Sequence, residues 1–449
     1  MNASESPTQT PVRRIEATHL RMVAIAAPMM LAHITEPLLG VAATAVIGRL
    51  GDAALLGAVA LGGVMFDFIF WSFGALRMGT AGMTAQAYGA GDDREVATVL
   101  ARALLVAVVC GLGLVALQGP IAWVAFKLAG ASPAVTAAAT TYFQIRIWAA
   151  PFALSNFAIM GAVIGRARTD VALVLQVAIN VTNIALSLLF VLGLGLGVAG
   201  VAWAAVIAEA AGVALGLGLL VRMGSRPWLA DRTAVLDGAA MRRTLAVNGD
   251  IMIRTAALVF AFAFFAAQGA RAGDTTLAAN AVLYNLFLVG AFFLDGFATA
   301  AEQMCGQALG GRDEPGFRRA VKLAVGWSLA AGAAVSAVLF VGGGLFIDLT
   351  TTNAAVRAEA KAFLMLASLT PLAGAVAFAF DGIYIGATWT AAMRNLMLLS
   401  LALFLAVFFS LKVTGNTGLW LAMIAFLAAR GIGQALAYPR LAKRAFATA

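Results

Sequence analysis

Apolar residues run along this chain in long stretches separated by short polar breaks, and within the stretches polar and apolar positions do not alternate. A helix crosses the hydrocarbon of a bilayer with roughly 20 mostly apolar residues, whereas a barrel strand needs only about ten and alternates. The pattern therefore predicts membrane-spanning helices. Twelve are expected, near 22–48, 54–80, 96–118, 136–164, 171–195, 199–222, 245–269, 276–303, 319–343, 358–387, 391–412 and 417–437.

The pattern also repeats. Gln86 to Asp92 (QAYGAGD) matches Gln307 to Asp313 (QALGGRD), an offset of 307 − 86 = 221, and Gly161 to Thr169 (GAVIGRART) matches Gly382 to Thr390 (GIYIGATWT) at 382 − 161 = 221. Two matches in one register, a span of six helices apart, predict two halves of the same orientation, related by an axis along the membrane normal. The expected fold is an all-α polytopic membrane protein whose 12 transmembrane helices form two pseudo-symmetric six-helix bundles. The expected divisions are a tail at 1–20, a first bundle at 21–222, a linker at 223–244, a second bundle at 245–437 and a tail at 438–449.

Composition agrees with a lipid solvent: 62% of residues are hydrophobic and only 11% charged. The 47 glycines suit close helix packing, because small residues let backbones approach. Of the 30 Lys and Arg, twenty fall on the tails and alternate loops, six on the other side (Arg49, Lys127, Arg271, Arg357, Lys361 and Lys412), and Arg77, Arg146, Arg254 and Arg430 within spans. The positive-inside bias then puts both termini in the cytoplasm of a cell (inner) membrane protein. The net charge of +9 is spread over separate segments as a topology signal, so no nucleic-acid partner is expected. A monomer in the lipid bilayer is expected, without cofactor. Cys110 and Cys305 sit in apolar context as packing residues, and His19 and His33, the two histidines, form no ligand pair. That argues against a membrane-embedded enzyme, and nothing resembles the selectivity filter of a channel.

Particular segments carry a family resemblance: AVIGRLG from Ala45, RMGTAGMTAQAYG from Arg77, NGDIMIR from Asn248, FLDGF from Phe293, and DGIYIGAT with MRN between Asp381 and Asn395. In these the chain resembles the multidrug and toxic compound extrusion (MATE) transporters, in particular the DinF-like bacterial subfamily. The resemblance implies two bundles around a central cavity and alternating-access export of small amphipathic or cationic organic compounds, with a proton or sodium ion as coupling ion. A lipid-linked saccharide flippase of the same wider superfamily is the alternative, for which a more basic cavity would be expected.

The chain departs from that subfamily where its first-half acids would stand. Ala43 precedes Thr44 where an Asp-Thr pair is usual, and Ser187 stands where an acid would follow Asn183. Glu36 is the acid left on the first helix, two turns before Ala43, with His33 three residues away and Pro37 removing a backbone donor. Glu36, His33, Asn180 and Asn183 are therefore the expected relocated proton or cation site. In the second half, Asp295 and Asp381 each precede a glycine deep in an apolar run with no cation at helical spacing, and are expected as cation-binding cavity acids. Asp250 and Arg254, at i and i+4, are expected as a structural ion pair, and Arg146, Glu209 and Arg430 as interhelical pairs near helix ends. Asp67, Tyr284, Phe287 and Phe292 are candidates for the wall of a cavity that takes flat lipophilic cations.

Overall fold

The computed structural model describes residues 16–447, the side chains of 36–38 excepted. Its twelve membrane-length helices are α1 (His19–Gly48), α2 (Ala53–Gly89), α3 (Asp93–Ala116), α4 (Pro133–Gly165), α5 (Thr169–Gly193), α6 (Gly197–Arg222), α7 (Gly238–Ala272), α8 (Asp274–Gly310), α9 (Glu314–Thr350), α10 (Ala354–Gly386), α11 (Thr390–Ser410) and α12 (Asn416–Ala447). Several run past the apolar segments that predict them. Asp92, Asp237 and Asp313 cap α3, α7 and α9 by accepting from the backbone N–H of Glu95, Ala240 and Gly316, so helix begins before hydrophobicity does. In the first half the counterpart of α9 is cut. Pro120 cannot donate to the carbonyl of Ala116, α3 stops there, and a separate helix, Gln118–Ala129, follows without a buried residue.

The packing partners repeat six helices on. In the first bundle α4 packs on α2, α3 and α6, α5 on α6 and α1; in the second, α10 packs on α8, α9 and α12, and α11 on α12 and α7. The repeated glycines explain the register. A Cβ on Gly161 or Gly165 would strike the α2 backbone at Arg77 or Ala81, and one on Gly382 or Gly386 would strike α8 at Ala298 or Glu302, so that glycine and obstacle both recur at the offset of the sequence repeat. These are two copies of a small-xxx-small crossing, which lets helix axes approach closely.

Between the bundles α1 packs on α8, and α2 on α7 and α8. One buried apolar cluster joins them, running from Met22, Ile25 and Ala26 of α1 through Ala75 of α2, Val247 and Ile251 of α7 and Phe297 to Ala308 of α8. Along the same helices away from that end the core divides. Val46, Ile47, Met65 and Phe66 belong to a cluster drawn from the first bundle, and Ala257, Ala261, Leu283 and Phe287 to one drawn from the second. The joined end also carries the chain between the halves, because Arg102 of α3 donates to the carbonyl of Ala234 at 2.8 Å.

The joined end closes on a reciprocal contact. Gln86 Nε2 donates to the carbonyl of Gly386 at 2.8 Å, and Gln307 Nε2 to that of Gly165 at 3.0 Å. Gln307 is the repeat counterpart of Gln86, and Gly386 that of Gly165, so the two-fold exchanges the bonds. Gly165 and Gly386 end α4 and α10, where carbonyls lack an intrahelical partner. Each bundle thus caps a helix end of the other with an amide. Between them Gly89 meets the Gln307 backbone and Gly310 that of Gln86 with no room for a Cβ.

Candidate functional site

Where the shared core gives way to the separate ones lies a cavity of about 60 Å³, lined by His33 of α1, Arg77 and Met78 of α2, Arg254 of α7, Asp295, Ala298, Thr299 and Glu302 of α8, and Asp381, Gly382 and Ile385 of α10. That is space for a few water molecules. The cavity gathers six ionisable groups in a chain that is only 11% charged. Burying charge is expensive, so such a concentration marks function.

The acids differ in their partners. Asp381 is 5% exposed and held by both Arg254 and Arg430, the second at 2.7 Å, while Gln434 Nε2 donates to its other oxygen at 2.7 Å. It is a fixed carboxylate between two guanidiniums. The expected cation-free acid is therefore corrected: the cations come from α7 and α12, which helical spacing along α10 cannot reveal. Asp295 and Glu302 line the same cavity without a contact ion pair to any described residue. These two carboxyls are free to take up a proton or a positive charge.

The expected Asp250–Arg254 pair does not form. Arg254 turns to Asp381, and Asp250 is bound by Arg394 and by the Thr390 hydroxyl at 3.0 Å, both on α11. Tertiary partners on neighbouring helices win over the i, i+4 neighbour. Arg430 sits deep in α12, 3% exposed, rather than near a helix end. Arg146, in mid-α4, donates to the Tyr142 hydroxyl and lies 5.0 Å over the Phe66 ring, while Glu209 accepts from Asn156 at 2.7 Å and attracts Arg146 from beyond contact.

The relocated site separates into two places. Asn180 meets α1, donating to the Thr35 hydroxyl at 2.9 Å, and Asn183 accepts from Ser187 at 3.4 Å within α5. His33 faces the other way, into the cavity, with its ring stacked on Phe292 at 6.4 Å. The Glu36 side chain lies outside the described residues. Of the aromatic candidates Phe292 alone borders this cavity through His33. Phe287, 6% exposed, is packed with the half-buried Tyr284 and Phe262 in the second bundle's own core, and neither Phe287 nor Tyr284 lines this cavity. Asp67 is exposed on α2. The ionisable cavity residues not among the expected site residues are Arg77 and Glu302.

The MatE family model matches the chain twice, over residues 28–189 and 251–411. The chain belongs to the MATE family of membrane transporters. It is 37% identical to the DNA damage-inducible protein F of Escherichia coli (strain K12), over 93% of this chain and 91% of that one. Its fold matches a crystal structure of MATE in the bent conformation with a TM-score of 0.87 at 18% identity, covering 95% of this chain and 96% of the other. It also matches the outward-facing conformation of a multidrug resistance MATE family transporter of the MOP superfamily, with a TM-score of 0.83 at 19% identity over 99% and 100% of the chains. The two family matches start at an offset of 251 − 28 = 223, close to the 221 of the repeated motifs.

Proposed function

We propose that this chain is a secondary active exporter of small amphipathic or cationic organic compounds, working by alternating access and driven by a proton or sodium gradient. The observation that carries the reading is the divided core. Two bundles joined at one end and parted beyond it, with the ionisable cavity at the fork, need only rock to expose that cavity to the other side. Membership of a family of transporters supports it. The twenty-to-six bias of Lys and Arg supports a bacterial inner-membrane protein with both termini cytoplasmic, hence a molecule closed on the cytoplasmic side and open outward. We further infer that it works as a monomer, since one chain supplies both bundles.

The test is a proteoliposome assay with separately imposed proton and sodium gradients against dyes, organic cations and bile-salt-like anions. One cation gradient is expected to drive accumulation of cationic dyes, and dissipating it should abolish transport. Accumulation of none of the panel under either gradient would refute the reading.

A further inference from the structure

Three carboxyls meet the cavity and only two lack a counter-ion among the described residues, and of those two Glu302 is the more enclosed. Its side chain is 3% exposed, its Oε1 is fully buried, and no group donates to that oxygen. Across the cavity Arg77 Nη1 is likewise buried without an acceptor. Among the described residues, the titratable and charged groups facing it are His33 of α1, Arg77 of α2, Arg254 of α7 and Asp381 of α10, with Asp295 on the same helix and Arg430 of α12 behind Asp381. Arg254 and Arg430 are spent on Asp381, and Arg77 attracts Glu302 without reaching contact. Neither α4 nor α9 brings a charged side chain to this cavity.

A carboxylate buried in this way, without a hydrogen bond or contact ion, costs several kcal/mol, so the group is kept neutral or supplied with a positive charge. Its position makes that cost matter to the whole molecule. The Glu302 carbonyl is the atom against which Gly386 packs, Gly306 one turn on touches Ala85 of the other bundle, and Gln307 forms one of the reciprocal bonds. Opening that end would expose Glu302 to bulk water on that side, and closing it leaves the carboxyl in a cavity with space for only a few water molecules.

We propose that Glu302 is the ion-accepting group of the transport cycle, neutral as a carboxylic acid when the joined end is closed and no cargo is present, and exchanging its proton for the positive charge of a cationic cargo. The exchange is a simple proton transfer: the carboxyl O–H passes its proton to water, giving hydronium and a carboxylate, and the cargo cation then faces that carboxylate. A closed end with neither proton nor cargo would bury a bare carboxylate, which forbids the empty transition and couples the two flows. The inference rests on the exporter reading above but assigns the coupling to one residue.

Ethidium binding to the purified full chain in weakly buffered detergent solution tests it. The wild type is expected to release about one proton per dye bound, and its dye affinity to rise by up to about tenfold per pH unit through the transition. Glu302→Gln should bind dye with no release and a flat pH profile, and Glu302→Asp should restore both. Undiminished proton release by Glu302→Gln would overturn the proposal. Should Glu302→Gln fail to fold, dicyclohexylcarbodiimide labelling of the wild type decides: label on Glu302, prevented by ethidium, is expected, and label confined to other carboxyls would overturn it. If no member of the panel is carried in proteoliposomes the exporter reading fails, while the carbodiimide pattern still decides Glu302.

Discussion

Replacing Gln86 and Gln307 by leucine keeps the side-chain bulk and removes both amide donors from the reciprocal contact. With that end closed, the Gly386 and Gly165 carbonyls then have no donor, since no backbone N–H reaches them. A buried acceptor left unsatisfied costs about 1–3 kcal/mol. With that end open, water satisfies both carbonyls and the substitutions cost little. The closed state alone is penalised, by about 1 kcal/mol per site at the low end, hence about 2 kcal/mol for the pair, or roughly 30-fold in the open-to-closed ratio. Cys305 reports the change, because it is buried in the shared core beside Gly306 while Cys110 lies in the first bundle. In a Cys110→Ala background, N-ethylmaleimide should label Cys305 about fivefold faster in either single variant and about 30-fold faster in the double. In a Cys305→Ala background the rate at Cys110 should stay put, which excludes general loosening. A double variant labelled at the parental rate, though folded and monodisperse, would refute the reasoning.

Other consequences can be measured on the same preparation. Asp381→Asn strands Arg254 and Arg430 in the interior and should lower stability by about 3–5 kcal/mol, with part recovered by adding Arg254→Gln; a thermal midpoint equal to the wild type's would show that the pair of guanidiniums is not held by this carboxylate. Gly382→Val drives a side chain into the α8 backbone at Ala298 and should cost more than about 3 kcal/mol, whereas Gly326→Val on α9, where a Cβ meets nothing within 4 Å, should cost under about 1 kcal/mol. Equal loss of folded yield in the two would contradict the crossing described here.

The number and order of spans were legible because lipid imposes a length and a polarity on every crossing helix, whatever its neighbours. The halves were legible too, since the glycines at 161, 165, 382 and 386 each answer to a backbone they touch. The chemistry was harder to read, for three separate reasons. Glu302 sits next to residue 303, where hydropathy ends the eighth span, and a polar residue at the edge of an apolar run gives no sign of burial; the helix continues to Gly310 and buries it. Asp381 looked unpaired because its cations arrive from α7 and α12, at sequence distances no local pattern encodes. Gln86 and Gln307 were visible as repeated letters, but only the crossing of the bundles turns them into caps on each other's helices.

The two-fold at the joined end is not kept in the cavity, where the repeat counterparts of Glu302, Asp381 and Arg77 are Ala81, Met160 and Ala298. Tolerance to substitution should divide along the same line. In a saturation scan, positions at the joined end should give twin profiles, Gly89 behaving as Gly310 and Gln86 as Gln307, because each pair meets one environment twice. Around the cavity the twins should part, with tight restriction at Glu302 and Asp381 and latitude for small apolar residues at Ala81 and Met160. The autocorrelation of such a map, taken at the lag of the repeat, would draw the boundary between the scaffold that repeats and the site that does not.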